Sequence, residues 1–337
     1  MRFERMVQVV DSHTMGEATR VITGGVAVYG KTMVEKREYL WKHQDLLRQQ
    51  LMLEPRGHDD MVGAILTDPV HPEARYGVVF MDSGGYLNMC GHGIIGVTVV
   101  TLETGMIPSR EGLNAIAFDT PAGLIKVEAV MEKDQVMEVS FENAPAFLFK
   151  ENYKFQLSDG KSLRADIAFG GSFFAIVNSQ DLGLRVEPEY SNEFLKYGSE
   201  IRETLNKEIS LEHPEHSHIT TIDLVEFYDQ PSHPDAQLKN VVFFGNGQLD
   251  RSPCGTGTTA KLAALYYKKK IGIGEEFIHE SILGTLFKGV IIGETHIKKQ
   301  KALRIKITGN ANITGFSQLV VDAEDPLKQG FTLRKQS

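Results

Sequence analysis

A cysteine set in a glycine-rich turn occurs twice in this chain, and that repeat limits the possible folds more than any other feature. Asn88-Met89-Cys90-Gly91-His92-Gly93-Ile94-Ile95-Gly96 returns as Ser252-Pro253-Cys254-Gly255-Thr256-Gly257-Thr258-Thr259-Ala260. The offset is 164 residues (254 minus 90), close to half of the 337-residue length. Each turn runs into an apolar, helix-compatible stretch, residues 97–102 and 261–267. A chain this long exceeds one ordinary core. The spacing therefore predicts an internal duplication, with halves at residues 1–145 and 146–337 that meet near Asn143-Ala144-Pro145. The last strands are allowed to pack back on the first half.

Cys90 and Cys254 are the only two cysteines. Each falls at the start of an expected helix, where uncommitted N–H groups and the helix dipole favour negative charge. A thiol placed there ionises more readily, and an anion can dock beside it.

Charge excludes one large class of partner. The formal net charge is −8, and the basic runs Lys268-Lys269-Lys270 and Lys298-Lys299 are both read as solvated. Nucleic-acid binding needs clustered cations, so none is expected. No apolar run approaches the ~20 residues of a membrane span. Met1-Arg2-Phe3-Glu4-Arg5-Met6 carries charge where a signal peptide is apolar, which predicts a cytoplasmic protein. A reducing compartment keeps both cysteines as thiols. With 42% hydrophobic residues there is enough apolar material to fill real cores.

Along the chain, valine-rich runs predict strands at residues 7–10 and 21–28, with residues 14–20 as a polar connector. Helix is expected over residues 33–53, then strands at 61–66 and 76–81 leading to the first cysteine. Strands follow near residues 116–118, 124–130 and 136–141. The second half repeats the order. Strands are expected at 155–157, 163–169 and 170–177, a helix at 192–207, and strands at 221–227 and 241–244 before the second cysteine. Residues 282–292, 303–307 and 313–321 supply the last strands. His213, His216 and His218 read as a solvated loop.

Several chemistries fit parts of this pattern. Gly91-x-Gly93-x-x-Gly96 formally matches a dinucleotide fingerprint, but the repeated βαβ alternation that such a site needs is absent. Cys90 with His92 lacks the spacing of a zinc site, so no metal and no organic cofactor is expected. A cysteine hydrolase with Cys90 as nucleophile and His92 as base leaves the second, matched cysteine idle. A non-catalytic module that binds a small carboxylate through inert thiols is a further alternative. If the halves face each other about a pseudo-twofold axis, both thiols and both helix starts converge. Such a site suits inversion at a carbon stereocentre, with one thiolate taking the α-proton and the opposite thiol returning one. Converged amides would stabilise the enediolate-like carboxylate of the transition state.

At these residues the sequence resembles the proline racemase family. The likeness runs from Asp11-Ser12-His13-Thr14 through Glu54-Pro55-Arg56-Gly57-His58 to Asp322-Ala323-Glu324-Asp325-Pro326-Leu327. Asn88-Met89-Cys90-Gly91-His92-Gly93 and Asp250-Arg251-Ser252-Pro253-Cys254-Gly255-Thr256-Gly257 resemble its two catalytic motifs. The resemblance implies an α+β fold of the diaminopimelate epimerase-like kind. In it, two pseudo-symmetric halves each wrap a barrel-like sheet around a central helix, with the active site in the cleft between them and commonly a homodimer. It implies a cofactor-independent isomerase that interconverts L- and D-proline, or alternatively a 4-hydroxyproline 2-epimerase. Cys90 and Cys254 would be the acid/base pair; Gly91, His92, Gly255 and Thr256 would bind the carboxylate, and Asp250 the ring ammonium. Phe80 and Phe244 fall where proline-specific members place aromatic walls. Val62 departs from their Arg-Gly-His-x-x-Met-Phe-Gly pattern, and its smaller side chain enlarges the pocket and keeps 4-hydroxyproline open as a substrate. Members that dehydrate trans-3-hydroxyproline carry Ser or Thr at the first cysteine, so Cys90 separates this chain from that branch.

Overall fold

The computed structural model describes residues 2–245 and 247–333; Met1, Asn246 and residues 334–337 lie outside the described residues. Two compact units make up the chain, residues 1–141 with 309–337 (unit 1) and residues 142–308 (unit 2).

In unit 1 the neighbouring strands run Ala311–Asp322, Phe3–Thr14, Glu17–Gly24, Val62–Thr67, Tyr76–Asp82, Gly112–Thr120, Gly123–Glu132, Gln135–Glu142. In unit 2 they run Phe147–Gln156, Ser162–Phe169, Phe173–Asn178, Ile222–Asp229, Leu238–Phe244, Glu276–Ser281, Leu286–Ile297, Gln300–Gly309. Both series read antiparallel, antiparallel, parallel, antiparallel, parallel, antiparallel, antiparallel. The duplication is thus carried by topology, with one exchange of chain order. The position that Phe147–Gln156 fills in unit 2 is filled in unit 1 by Ala311–Asp322, from the far end of the sequence. Residues 309–337, assigned from the sequence to the second half with the allowance for packing back, belong to unit 1.

Parallel neighbours need a crossover, and each crossover carries a helix. In unit 1 these are α1 (Met33–Met52) and α2 (Gly91–Glu103); in unit 2 they are α3 (Ser191–Glu208) and α4 (Gly255–Tyr267). Thr32 caps α1, its Oγ1 accepting from Glu35 N at 3.1 Å. The helices differ in what they touch. α1 and α3 lie on one face of their sheets, whereas α2 and α4 are buried along most of their length; α2 contacts Ala311–Asp322, Phe3–Thr14, Glu17–Gly24 and Val62–Thr67, and α4 contacts Phe147–Gln156, Ser162–Phe169, Phe173–Asn178 and Leu286–Ile297. In Tyr76–Asp82, Val79 and Met81 join the core beneath α1, while Phe80 points the other way, against Gly93 of α2. In Leu238–Phe244, Val241 and Phe243 pack with Phe194, Ile201 and Leu205 of α3, and Val242 packs with Ala260 and Ala264 of α4. A strand covered on both faces reads as a continuous apolar run, as Val78-Val79-Phe80-Met81 and Val241-Val242-Phe243-Phe244 do. Among the described residues no helix is long and apolar enough to cross a membrane.

Two expectations are corrected. Residues 17–20 are not a connector; Glu17–Gly24 is a strand, turned back from Phe3–Thr14 by Met15 (φ 49°) and Gly16 (φ 106°). Its arginine is satisfied indoors. Arg20 donates Nε and Nη2 to Asp11 at 2.7 and 3.0 Å, and Nη1 to the Leu51 carbonyl at 2.8 Å. Likewise residues 282–292 are not one strand. Ser281 Oγ accepts from Leu283 N and Thr285 N at 3.1 and 3.2 Å, and Gly284 (φ 83°) completes a turn between Glu276–Ser281 and Leu286–Ile297.

The α3–sheet contact is tight enough to test. A Cβ added at Gly198 would stand 2.3 Å from Phe243 Cγ. Alanine improves helix propensity by about 1 kcal/mol, but overpacking a buried ring costs about 1–3 kcal/mol. Gly198→Ala is therefore expected to lower the urea midpoint at unchanged m-value. A raised midpoint would show that the ring yields freely.

Candidate functional site

Cys90 is the N-cap of α2 and Cys254 the N-cap of α4. Both are thiols, Cys90 half-buried and Cys254 only 5% exposed. Their backbones differ. Cys90 is extended, at φ −142° and ψ 121°. Cys254 has φ 59° and ψ 107°, outside the regions that a residue with a side chain ordinarily occupies. Such a conformation costs about 1–3 kcal/mol and persists only where its surroundings enforce it.

In unit 1, Cys90 Sγ lies 3.5 Å from His92 Nδ1 and 3.7 Å from Nε2. Thr14 Oγ1 donates to the His92 carbonyl at 2.8 Å and ties the turn to Phe3–Thr14. Gly91 and Gly93 are buried in the first turn of α2, and a Cβ on Gly93 would stand 2.7 Å from Phe80 Cε1. Glycine is required there so that the helix start can rest on the ring. Phe80 is fully buried beneath the turn. Val62, also buried, pairs with Asp82 as Ala64 pairs with Phe80, so it shares the face of Phe80 that looks toward α2.

In unit 2, Cys254 Sγ accepts from Gly257 N at 3.3 Å and lies 3.5 Å from Thr256 Oγ1. The turn hangs from Asp250. Its Oδ1 accepts from Ser252 N at 2.8 Å and from Ser252 Oγ at 2.7 Å, and Ser252 Oγ accepts from Cys254 N at 3.1 Å. Asp250 pairs with Val242, and Phe244 with Gln248, on the face of that ladder shared with α4; Phe244 is half-buried. Gly255 is the buried first residue of α4. Burial pushes the Cys254 thiol well above its ordinary pKa, and the Asp250 charge adds to this. The Thr256 hydroxyl and the Gly257 N–H pull the other way.

Reading the motifs missed the polar residues behind Cys254. Glu226 and Lys261 are fully buried and 3.5 Å apart, with the Lys261 ammonium 3.2 Å from the centre of the Tyr228 ring. Glu226 Oε2 is 3.2 Å from where a Gly257 Cβ would be. The place that the Phe80 ring fills under Gly93 is thus held in unit 2 by a carboxylate. Burial raises the Glu226 pKa and lowers that of Lys261, each opposed by the other's charge. A signal was present in the sequence, since each is a lone charge in an apolar run: Leu224-Val225-Glu226-Phe227 and Ala260-Lys261-Leu262-Ala263. Among the described residues, no three His, Cys, Asp or Glu side chains are grouped to hold a metal ion.

Known proteins share both the sequence and the fold. Residues 9–332 match the family described as Proline racemase. A proline racemase of Acetoanaerobium sticklandii is 51% identical over 335 residues, spanning 99% of this chain and 100% of the relative. One from Clostridioides difficile is 50% identical with the same coverage. The crystal structure of a hydroxyproline epimerase from Agrobacterium vitis with bound trans-4-OH-L-proline superposes with a TM-score of 0.89 at 31% identity, covering 99% of this chain and 96% of that one. On identity, coverage and fold alike, the chain belongs to the proline racemase family.

Proposed function

We propose that the protein is an isomerase that interconverts L- and D-proline without a cofactor, using Cys90 and Cys254 as a thiol/thiolate pair on one substrate. The observation that carries this reading is that each of two topologically matched units has a cysteine at the N-cap of its buried helix. Relatives at 50% identity over the full length support the substrate.

One thiolate removes the α-proton, and the electron pair of the broken C–H bond moves into the carboxylate. The opposite thiol then gives its proton to the other face of the carbon. Proton count is conserved, configuration is inverted, and the two sulfurs have exchanged roles. Developing charge falls on the carboxylate oxygens, for which the helix-start groups of Gly91, His92, Gly255 and Thr256 are the proposed donors. Asp250 is the proposed acceptor for the ring ammonium, with Phe80, Phe244 and Val62 about the ring. We further assign the enzyme to the cytoplasm, where two unbridged cysteines persist, and to a homodimer by its family.

Incubation with L-proline in deuterated water tests this reading. D-Proline carrying one deuteron at the α-carbon is expected, without added pyridoxal phosphate or nicotinamide and undiminished by dialysis against a chelator. If neither proline nor trans-4-hydroxy-L-proline exchanged its α-proton, the binding-module alternative would stand instead. The hydroxyproline reading has its own support in Val62 and in the ligand of the Agrobacterium vitis structure. Apolar walls reject an added hydroxyl by only about a hundredfold or less. The ratio of kcat/KM for proline to that for trans-4-hydroxy-L-proline is expected within that range, and a ratio below one would make this an epimerase of hydroxyproline.

A further inference from the structure

Behind Cys254 lies a group of polar side chains that the proton-transfer scheme does not use. Asn240, Thr258 and His279 are fully buried and come from Leu238–Phe244, α4 and Glu276–Ser281. Two of them, Asn240 and Thr258, converge on one atom. The Pro253 carbonyl accepts from Asn240 Nδ2 at 2.9 Å and from Thr258 Oγ1 at 3.0 Å. His279 Nδ1 lies 3.0 Å from Thr258 Oγ1 and 3.3 Å from Asn240 Nδ2. The Thr258 hydroxyl has a single proton, and the carbonyl takes it. The shorter imidazole contact is then a hydrogen bond only if Nδ1 carries the ring proton and donates to Oγ1. Nε2, which has no hydrogen-bond partner among the described residues, is left unprotonated. Burial, aided by the Lys261 charge, holds the imidazole pKa well below its usual value, so the ring is neutral.

The peptide between Pro253 and Cys254 is therefore pinned at both ends: its carbonyl by Asn240 and Thr258, its N–H by Ser252 Oγ. Rotation about the next bond is the φ of Cys254, the angle that is strained at 59°. Unit 1 supplies a control. The repeat offset carries Thr258 to Ile94, and the matched strands carry Asn240 to Val78. The parallel pairs Leu238–His279 and Tyr76–Phe118 carry His279 to Phe118. All three counterparts are apolar and fully buried, and there Cys90 is relaxed.

We propose that His279 is a positioning residue for Cys254, acting through Thr258 on the Pro253 carbonyl, which Asn240 also holds, to keep Sγ against the Gly257 N–H and the Thr256 hydroxyl. The proposal rests on the acid/base role given to Cys254 above. The charged groups that face this turn are Asp250 and Glu226 from their strands and Lys261 from α4, and none of them is altered in the test.

In a Cys90→Ser background Cys254 is the sole thiol, and its ultraviolet thiolate absorbance can be titrated. His279→Gln removes the Nδ1 donor, Thr258→Val removes the hydroxyl at equal volume, and His279→Asn keeps an N–H near the Nδ1 position. In Thr258→Val and His279→Gln the thiolate midpoint is expected to rise by about one pH unit, as the two contacts that favour the anion loosen. In the protein with both cysteines, kcat should fall about a hundredfold with KM little changed, the effect of misplacing a reacting group by about 1 Å. His279→Asn should restore both. Unchanged midpoint and kcat in folded Thr258→Val and His279→Gln would overturn the proposal. So would a loss of urea stability alone in all three, since that is a merely structural role. Wild-type protein that failed to exchange the α-proton of proline would defeat the functional reading, while the titration would still decide the positioning.

Discussion

Cys90→Ser and Cys254→Ser are each expected to lower racemisation about 10²–10⁴-fold, the range for losing a positioned proton-transfer group. A serine hydroxyl is far too weak an acid to supply the base near neutral pH, and inversion needs a competent group on both faces of the carbon. The fold should survive. Cys90 is half-buried, and the buried Cys254 position already offers hydrogen-bond partners in Gly257 N and Thr256 Oγ1. Circular dichroism and the urea midpoint would confirm this for each variant. The double replacement should be little worse than either single one, because residues that act as a unit are not additive. If either single variant kept more than a few per cent of turnover, a one-base mechanism would replace the paired one.

The parts legible in the sequence were those fixed by local chemistry. Glycines at 91, 93, 255 and 257 announced helix starts, and in the structure two of them approach neighbouring groups closely, Gly93 over Phe80 and Gly257 over Glu226. Long helices and apolar strands followed from periodicity. What local pattern could not convey was partnership across the chain. Residues 17–20 look like a loop because Glu17, Thr19 and Arg20 are polar, yet they are buried, and Arg20 is satisfied by Asp11 and by the Leu51 carbonyl. The exchange that brings Ala311–Asp322 beside Phe3–Thr14 leaves no mark in either segment alone.

The asymmetry of the two cysteine turns was hidden for the same reason. Asn240 and His279 are 39 residues apart and meet only through strand pairing. Each by itself reads as an ordinary polar residue. Set against Val78, Ile94 and Phe118 in unit 1, they show that duplication preserved the topology while one copy acquired a polar interior. That interior lies behind the cysteine with the unfavourable backbone. The more buried thiol thus stands on the more constrained turn, and the more exposed thiol on the relaxed one.

Asp250→Asn is expected to move one limb of the pH profile of kcat/KM to lower pH and to reduce its maximum. The sign follows from charge. Burial and then the Asp250 carboxylate hold the Cys254 pKa up; deleting the charge leaves burial in place, so the thiol titrates lower than in the wild type but still above its ordinary value. If Cys254 is the proton donor in the resting enzyme, its ionisation is the alkaline limb, and that limb moves down. If it is the base, the acid limb moves down instead. The limb that moves thus identifies the form that Cys254 takes before substrate binds. Asparagine keeps an oxygen to accept from Ser252 N and Oγ, the bonds through which Asp250 supports the turn. Loss of a hydrogen bond to the charged ring ammonium costs about 1.5–3 kcal/mol, or roughly ten- to a hundredfold in the maximum. Asp250→Glu, which restores charge but lengthens the arm, should return the limb toward its wild-type position while leaving the maximum low. A profile that kept both limbs in Asp250→Asn would mean that the pH dependence is set by groups other than Cys254.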